Sequence, residues 1–263
     1  MRADKYFAEK FGSRTKAAEA IEKGLILVNG KTIKAKTEIS DNDVIQFMDV
    51  KEQYVSNGGY KLGRALRAFS YDCQGKIFVD IGASTGGFTD CLLQNGAQKV
   101  YAVDVGESLL HESLLSSGKI VQMENTNARY LTKKDFTEKI DGVVTDVSFI
   151  SLRLIFPVIQ EILGDNGEAF VLVKPQFECE KKHIGKSGIV SPSAHAEILK
   201  KVLQYLSQSE LYAHGIVNAP IRKGKNIEYV LRISKAEKGA LSNNAIIEQV
   251  KLLVKRNSLG ELQ

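Results

Sequence analysis

From Lys76 onward the chain repeats one pattern, a short apolar run followed by a longer mixed or helical stretch. The runs are Ile77-Phe78-Val79-Asp80-Ile81, Val100 to Asp104, a weaker Ile120 to Met123, Gly142 to Asp146, and Ala169 to Val173. Strands that are apolar at successive positions are buried on both faces. Their alternation with helical segments predicts an α/β fold, a doubly wound parallel sheet covered by helices on both sides. Near the end Ile227, Tyr229, Leu231 and Ile233 alternate with polar residues, which predicts a strand exposed on one face.

Residues 1–50 have a different texture, with turn signals close together. Ser13 is placed to cap a helix through Ala20 and Ile21, and Gly24 stops it. Leu25-Ile26-Leu27-Val28 then forms a strand, Asn29-Gly30 the preferred two-residue hairpin turn, and Lys31-Thr32-Ile33 the return. A second turn at Ser40-Asp41-Asn42-Asp43 leads to a strand from Val44 to Val50. This predicts a small α+β module over 1–50, a linker over 51–59 with a flexible Asn57-Gly58-Gly59, and a larger domain over 60–263. The larger domain opens with a helix carrying Leu62, Ala65, Leu66 and Phe69 at helical spacing.

Several classes are excluded on composition. The longest apolar run, Ala169 to Val173, is five residues, whereas a membrane span needs roughly 18 or more. The start, Met1-Arg2-Ala3-Asp4-Lys5, has an early acid and no apolar stretch, unlike a secretory signal. Cys73, Cys91 and Cys179 are scattered, as reduced thiols in a cytoplasmic protein are. Cys179 and His183 lie four apart with no second close pair, so no metal is expected. The net charge of +5 permits a nucleic-acid partner without demanding one.

Asp80-Ile81-Gly82-Ala83-Ser84-Thr85-Gly86-Gly87-Phe88 ends the first strand of the sheet and opens a helix. Ligands of such sheets bind beyond the carboxyl ends of the strands. The next strand ends in Asp104, a carboxylate able to accept both hydroxyls of a ribose, so the pair predicts a nucleoside site. Gly82 and Gly86 let the backbone approach it. A dinucleotide fingerprint has glycine where this chain has Ser84, and Asp80 would oppose a pyrophosphate. Both details disfavour NAD and suit S-adenosylmethionine, which has no phosphate and carries a positive end. The same stretch spells G-x-S-x-G, the nucleophile elbow of α/β-hydrolases with Ser84 as nucleophile. That alternative lacks a motif around any late histidine, and its elbow would follow the first strand of the sheet rather than several earlier ones.

Four polar residues stand out, two of them at strand ends on the cofactor side. Asp146 and Lys174 close strands, Lys61 opens the helix before the first strand of the sheet, and Glu228 lies in the late alternating segment. Asp146-Val147-Ser148-Phe149 lacks the prolines of enzymes that methylate base amino groups. Two lysines and two acids suit an unactivated alcohol, such as a ribose 2′-hydroxyl, that must lose its proton as it attacks. Lys174 is the candidate base or the cation that stabilises the alkoxide.

These residues resemble the hemolysin A (TlyA) family of ribosomal RNA 2′-O-methyltransferases nearly end to end. The resemblance is carried by Gly58-Gly59-Tyr60-Lys61-Leu62, Asp80 to Phe88, Tyr101-Ala102-Val103-Asp104-Val105-Gly106, Thr126-Asn127-Ala128-Arg129-Tyr130, Asp146-Val147-Ser148-Phe149-Ile150-Ser151, Lys174-Pro175-Gln176-Phe177-Glu178 and Asn226-Ile227-Glu228. It implies a Rossmann-like methyltransferase domain of FtsJ type. The Lys-Asp-Lys-Glu tetrad would fall on Lys61, Asp146, Lys174 and Glu228. S-adenosylmethionine would be the donor, held by Asp80, Gly82, Ala83, Ser84, Gly86, Gly87, Phe88, Asp104, Asn127 and Asp146, with Asn127 beside the adenine. Cytidine ribose in ribosomal RNA, naked or in ribosomal subunits, would be the acceptor. Residues 1–50 resemble a small RNA-binding module shared with a ribosomal protein, pseudouridine synthases and tyrosyl-tRNA synthetase. That likeness implies phosphate contacts from Arg14, Lys16, Lys31 and Lys34. The chain departs from the family at Asn57, where arginine is usual. The family name also raises a rival, a membrane-active or purely RNA-binding protein without catalysis.

Overall fold

The computed structural model describes residues 1–22, 24–40, 42–47, 53–222 and 224–259. They form two compact units, Met1–Gln53 and Tyr54–Gln263.

The smaller unit holds helices α1 (Ala3–Tyr6) and α2 (Arg14–Glu22) and strands β1 (Ile26–Val28), β2 (Lys31–Thr32) and β3 (Ile45–Phe47). The strands pair antiparallel in the order β2-β1-β3. Ser13 Oγ accepts from Lys16 N at 3.2 Å and so caps α2. Asn29 and Gly30 both have positive φ, 51° and 75°, as the tight hairpin turn requires. Asn29 also fastens the following turn, donating to Asp43 Oδ1 at 2.8 Å and accepting from Val44 N at 2.9 Å. Ala3, Phe7, Ala17, Ile21, Ile26 and Ile39 make a separate small core. The strand expected over Val44–Val50 is seen as Ile45–Phe47, and 48–50 lie outside the described residues.

The expected linker needs correction. Residues 51 and 52 lie outside the described residues, but Asn57, Gly58 and Gly59 form the first turn of helix α3 (Asn57–Ala68). The glycine serves close approach, not flexibility: a Cβ on Gly59 would sit 2.3 Å from Tyr54 Cγ.

After α3 come β4 (Ile77–Ile81), α4 (Gly87–Gln94), β5 (Lys99–Val103), α5 (Glu112–Leu115), β6 (Ile120–Met123), β7 (Ile140–Thr145), α6 (Phe156–Ile162) and β8 (Leu163–Val173). Then follow α7 (Pro175–Glu178), α8 (His195–Gln208), β9 (Tyr212–Asn218), β10 (Tyr229–Ser234) and α9 (Asn243–Ser258). One sheet runs β6-β5-β4-β7-β8-β10-β9. Its period-two alternation splits the side chains between two layers. Ile77, Val79 and Ile81 of β4 pack with α6, α8 and α9, whereas Phe78 packs with Leu62 and Leu66 of α3 and Leu92 of α4.

The sheet is mixed rather than wholly parallel. β4 to β8 run parallel, but β10 enters antiparallel to both β8 and β9. β9 was not anticipated, and β10 is not exposed on one face. It is an interior strand whose polar position Arg232 is paired with Glu168 of β8, Nη2 to Oε1 at 2.7 Å. A long-range partner hides a charge that the local pattern assigns to solvent.

Candidate active site

β4 lies where the strand order turns. The chain runs outward from it to β5 and β6, then crosses back to β7 on its other side. Such a switch point opens a crevice beyond the strand ends. A cavity of about 410 Å³ lies there, walled by the ends of β4, β5 and β7 and by loop 126–129.

Asp104, just after β5, is fixed on that wall by two backbone donors. Ser84 N donates to its Oδ2 at 2.8 Å and Gly106 N to its Oδ1 at 2.9 Å. Each oxygen keeps a lone pair for a further donor, such as a ribose hydroxyl. Gly82 has φ 81°, and a Cβ there would meet Asp146 O and Val147 Cγ1 at 3.2 Å. Glycine at 82 thus meets a left-handed backbone and leaves the close approach of the β4 and β7 ends uncrowded. Asn127 also lines the cavity, and its Oδ1 accepts from the backbone and Nε of Arg129 at 3.2 Å each.

Of the ten residues expected at the cofactor, Gly82, Ser84, Asp104, Asn127 and Asp146 wall the cavity, and the other five do not. Ala83 is buried, Gly86 and Gly87 lead into α4, and Phe88 joins the core between α3 and α4. Asp80 was expected as an open charge, but its side chain is fully buried. Its Oδ2 accepts from Thr89 Oγ1 at 2.7 Å, and its Oδ1 has no partner. Burial pushes its carboxyl up to about 7 against the Thr89 hydrogen bond, with the Asp146 and Asp104 carboxylates adding to the rise.

The four residues expected to act together are brought together from four elements. Lys61 Nζ of α3 lies 2.7 Å from Glu228 Oε2, just before β10, and 3.7 Å from Asp146 Oδ2, just after β7. Lys174 Nζ, just after β8, lies 2.6 Å from Asp146 Oδ1 and donates to Ser148 Oγ at 2.7 Å. All four side chains are largely withdrawn from water, Lys174 to 10% exposure. Alternating ammonium and carboxylate groups let such charges share one site without an unpaired ion.

The sequence reading missed the residues that hold this chain of charges. Ser148 Oγ accepts a hydrogen bond from Lys174 Nζ, and Gln176 Nε2 reaches Glu228 Oε1 at 3.4 Å. Glu178 accepts from Leu152 N at 2.7 Å and Ser151 Oγ at 2.8 Å, tying loop 146–152 to α7; burial pushes its carboxyl above the usual range. Each lies two to four residues from a tetrad member, but nothing in composition marks it. Phe149 is 91% exposed, with φ 62°, and its ring lies 4.9 Å from that of Phe177.

The chain matches the FtsJ-like methyltransferase family over residues 54–235 and the S4 domain over residues 1–45. It belongs to the FtsJ-like methyltransferase family. It is similar to YqxC of Bacillus subtilis, 43% identical over 84% of this chain and 80% of that protein. It is also similar to the 16S/23S rRNA (cytidine-2′-O)-methyltransferase TlyA of Mycobacterium tuberculosis, 36% identical over 90% of each chain. The solved structure of a hemolysin-named protein from Streptococcus thermophilus is 37% identical over 98% of each chain, with a TM-score of 0.74.

An FtsJ-like methyltransferase has no use for Ser84 as a nucleophile, and among the described residues no hydrogen bond joins the Ser84 hydroxyl to a histidine. His111 bonds Ser113, His195 bonds Tyr229, and His214 bonds Ser234. Among the described residues no helix is long and apolar enough to cross a membrane, and no cluster of His, Cys, Asp and Glu is placed for a metal ion.

In the S4 domain Lys16, Lys31 and Lys34 are exposed. Arg14 is less available than expected, because its Nε bonds the buried Asp4 carboxylate at 3.1 Å, beside Arg2 at 2.8 Å. It is committed in part to that domain's own fold.

Proposed function

We propose that this chain transfers a methyl group from S-adenosylmethionine to a ribose 2′-hydroxyl of ribosomal RNA, at cytidine, in the cytoplasm. The observation that carries the reading is the linked set Lys61–Asp146–Lys174–Glu228, which begins on the wall of the first cavity at Asp146. The cytidine acceptor is supported by the similarity to TlyA.

The residues of the cavity fit the donor. Asp104 would hold the ribose through its fixed carboxylate, Asn127 would lie beside the adenine, and Asp146 would face the positive end. When bound, the donor supplies an electrophilic methyl group. Asp146 orients Lys174 through the 2.6 Å contact, and Ser148 fixes the ammonium from a second side. Lys174 then takes the proton of the 2′-hydroxyl or stabilises the alkoxide. Lys61 and Glu228 close the charge set. With a sulfonium present the site carries one net positive charge, and the developing alkoxide brings it to zero. Phe149, exposed beside Phe177, offers a face on which an unstacked base can rest. The S4 domain supplies Lys16, Lys31 and Lys34 for phosphates.

Methyl transfer from labelled S-adenosylmethionine to ribosomal RNA, followed by mass mapping of 2′-O-methylated nucleotides, tests the proposal. Label on a cytidine ribose is the expected result. Binding of NAD without S-adenosylmethionine would overturn it.

A further inference from the structure

A second cavity, of about 400 Å³, adjoins the tetrad, with Lys61 and Glu228 in its wall. Its other lining residues include Tyr60, Arg222, Lys225 and Asn226. The two cavities are joined through the contact between Lys61 and Asp146. Their charges differ in sign. Asp104 and Asp146 outweigh Arg129 in the first, whereas Lys61, Arg222 and Lys225 outweigh Glu228 in the second. Within the second, Lys61 and Glu228 neutralise each other at 2.7 Å. The excess therefore rests on Arg222 and Lys225, which are exposed and have no acidic partner among the described residues.

These two cations are held by backbone geometry. Lys225 N donates to Arg222 O at 3.1 Å, which holds these two residues close together. Side chains leaving two residues linked in this way can reach adjacent phosphates of a single strand. Lys225 is followed by Asn226, which is anchored on the protein. Its Oδ1 accepts from Val190 N at 2.8 Å and its Nδ2 donates to Gly188 O at 3.0 Å. Two residues later the chain reaches Glu228, so the pair has a fixed offset from the tetrad. Preorganisation of this kind lowers the cost of holding a flexible ligand.

We propose that Arg222 and Lys225 are the grip for the acceptor strand. Arg222 and Lys225 bind the phosphates flanking the target nucleotide, whose ribose enters the second cavity beside Lys61. The inference rests on the reading of the site as an RNA 2′-O-methyltransferase and adds to it the residues that seat the acceptor.

The test is the double variant Arg222→Ala with Lys225→Ala in the full chain, assayed with ribosomal RNA at saturating S-adenosylmethionine. KM for RNA should rise by ~10-fold or more while kcat stays within ~3-fold, and the salt dependence should flatten by about one phosphate contact per residue. S-adenosylmethionine affinity by calorimetry should not change. A remote control pair, Lys238→Ala with Lys255→Ala, should leave KM and the salt slope as in the wild type. The proposal is overturned if the double variant keeps the wild-type KM and salt slope, or if the remote pair causes an equal loss. Filter binding of RNA to both proteins separates this outcome from failure of the functional reading. A wild type that binds RNA but transfers no methyl sinks the assigned reaction, while the difference in salt slope between wild type and double variant still decides the grip.

Discussion

The two cavities that meet through Lys61 and Asp146 hold their polar groups in opposite ways. In the first, Asp104 is clamped by Ser84 N and Gly106 N, and Asn127 is tied to Arg129. In the second, the excess charge sits on the exposed Arg222 and Lys225. A small ligand that is the same at every turnover rewards rigid donors and acceptors, since no ordering cost recurs. A polymer is better met by long side chains that adapt to its phosphates, with charge supplying the affinity. The tetrad stands between these regimes, each ion compensated by its neighbours.

That contrast can be broken most severely at its centre. Lys174→Ala removes the group common to both candidate roles, so turnover should fall by at least ~10²-fold. Calorimetry should show S-adenosylmethionine binding retained. Near-normal turnover would dismantle the tetrad reading. A pH–rate profile of the wild type separates the two roles, because a lysine acting as base must be neutral in the reacting complex whereas one stabilising the alkoxide must stay charged.

The next effect belongs to the first cavity. Asp104→Ala should weaken S-adenosylmethionine binding by about 2 kcal/mol, roughly 30-fold in Kd, as charge-assisted hydrogen bonds are lost. RNA affinity should be unchanged. Equal losses for both ligands would mean that the cavities do not divide the labour. Phe149→Ala should act in the reverse sense, costing about 1 kcal/mol in RNA KM through lost stacking while cofactor affinity holds.

A further expectation concerns the buried acid beneath the first cavity. The Asp80 carboxyl in the fold lies at about 7, above its ordinary 3.8. A group raised in this way gives its full stabilisation below 3.8 and loses it as pH rises through about 7. The melting temperature of the cofactor-free protein should fall across that window, and Asp80→Asn should flatten the profile. A melting curve equally steep in both proteins would remove Asp80 as the cause. The smallest effect is expected of Ser84→Ala, within ~3-fold in methyl transfer, since its backbone N–H and not its hydroxyl meets Asp104. An ester hydrolysis abolished by Ser84→Ala and not by Lys174→Ala would revive the hydrolase alternative.

Much of this was legible where local and tertiary demands agree. The apolar runs 77–81, 100–104 and 142–146 are strands within a residue or two, because a strand covered on both faces must be apolar throughout. Asp146 and Lys174 were legible as charges abutting such runs, whereas Lys61 and Glu228 abut none and were joined to them by the family resemblance. Three features were not. β10 looked half-exposed because Glu168, which compensates Arg232, is far away in the chain. Asn57-Gly58-Gly59 looked flexible because glycine marks both loops and close contacts, and only Tyr54 packed against Gly59 tells them apart. Asp80 looked like part of the cofactor wall, but strand alternation turns its side chain to the α4 side, where Thr89 meets it.

The amino-acid sequence by itself determined the alternation of strands and helices, the glycine turn after the first strand of the sheet, the small capped module at the start, and which charges sit at strand ends. These follow from periodicity and from residues whose backbone preferences are local. The tertiary structure decided which face each charge meets, that Lys61 and Glu228 pair with each other, and that two cavities of opposite sign meet through the contact of Lys61 with Asp146. Those are contacts between residues far apart in the chain, and their free energy depends on burial and on the distance between charges. Neither quantity exists until the sheet has brought its strand ends together.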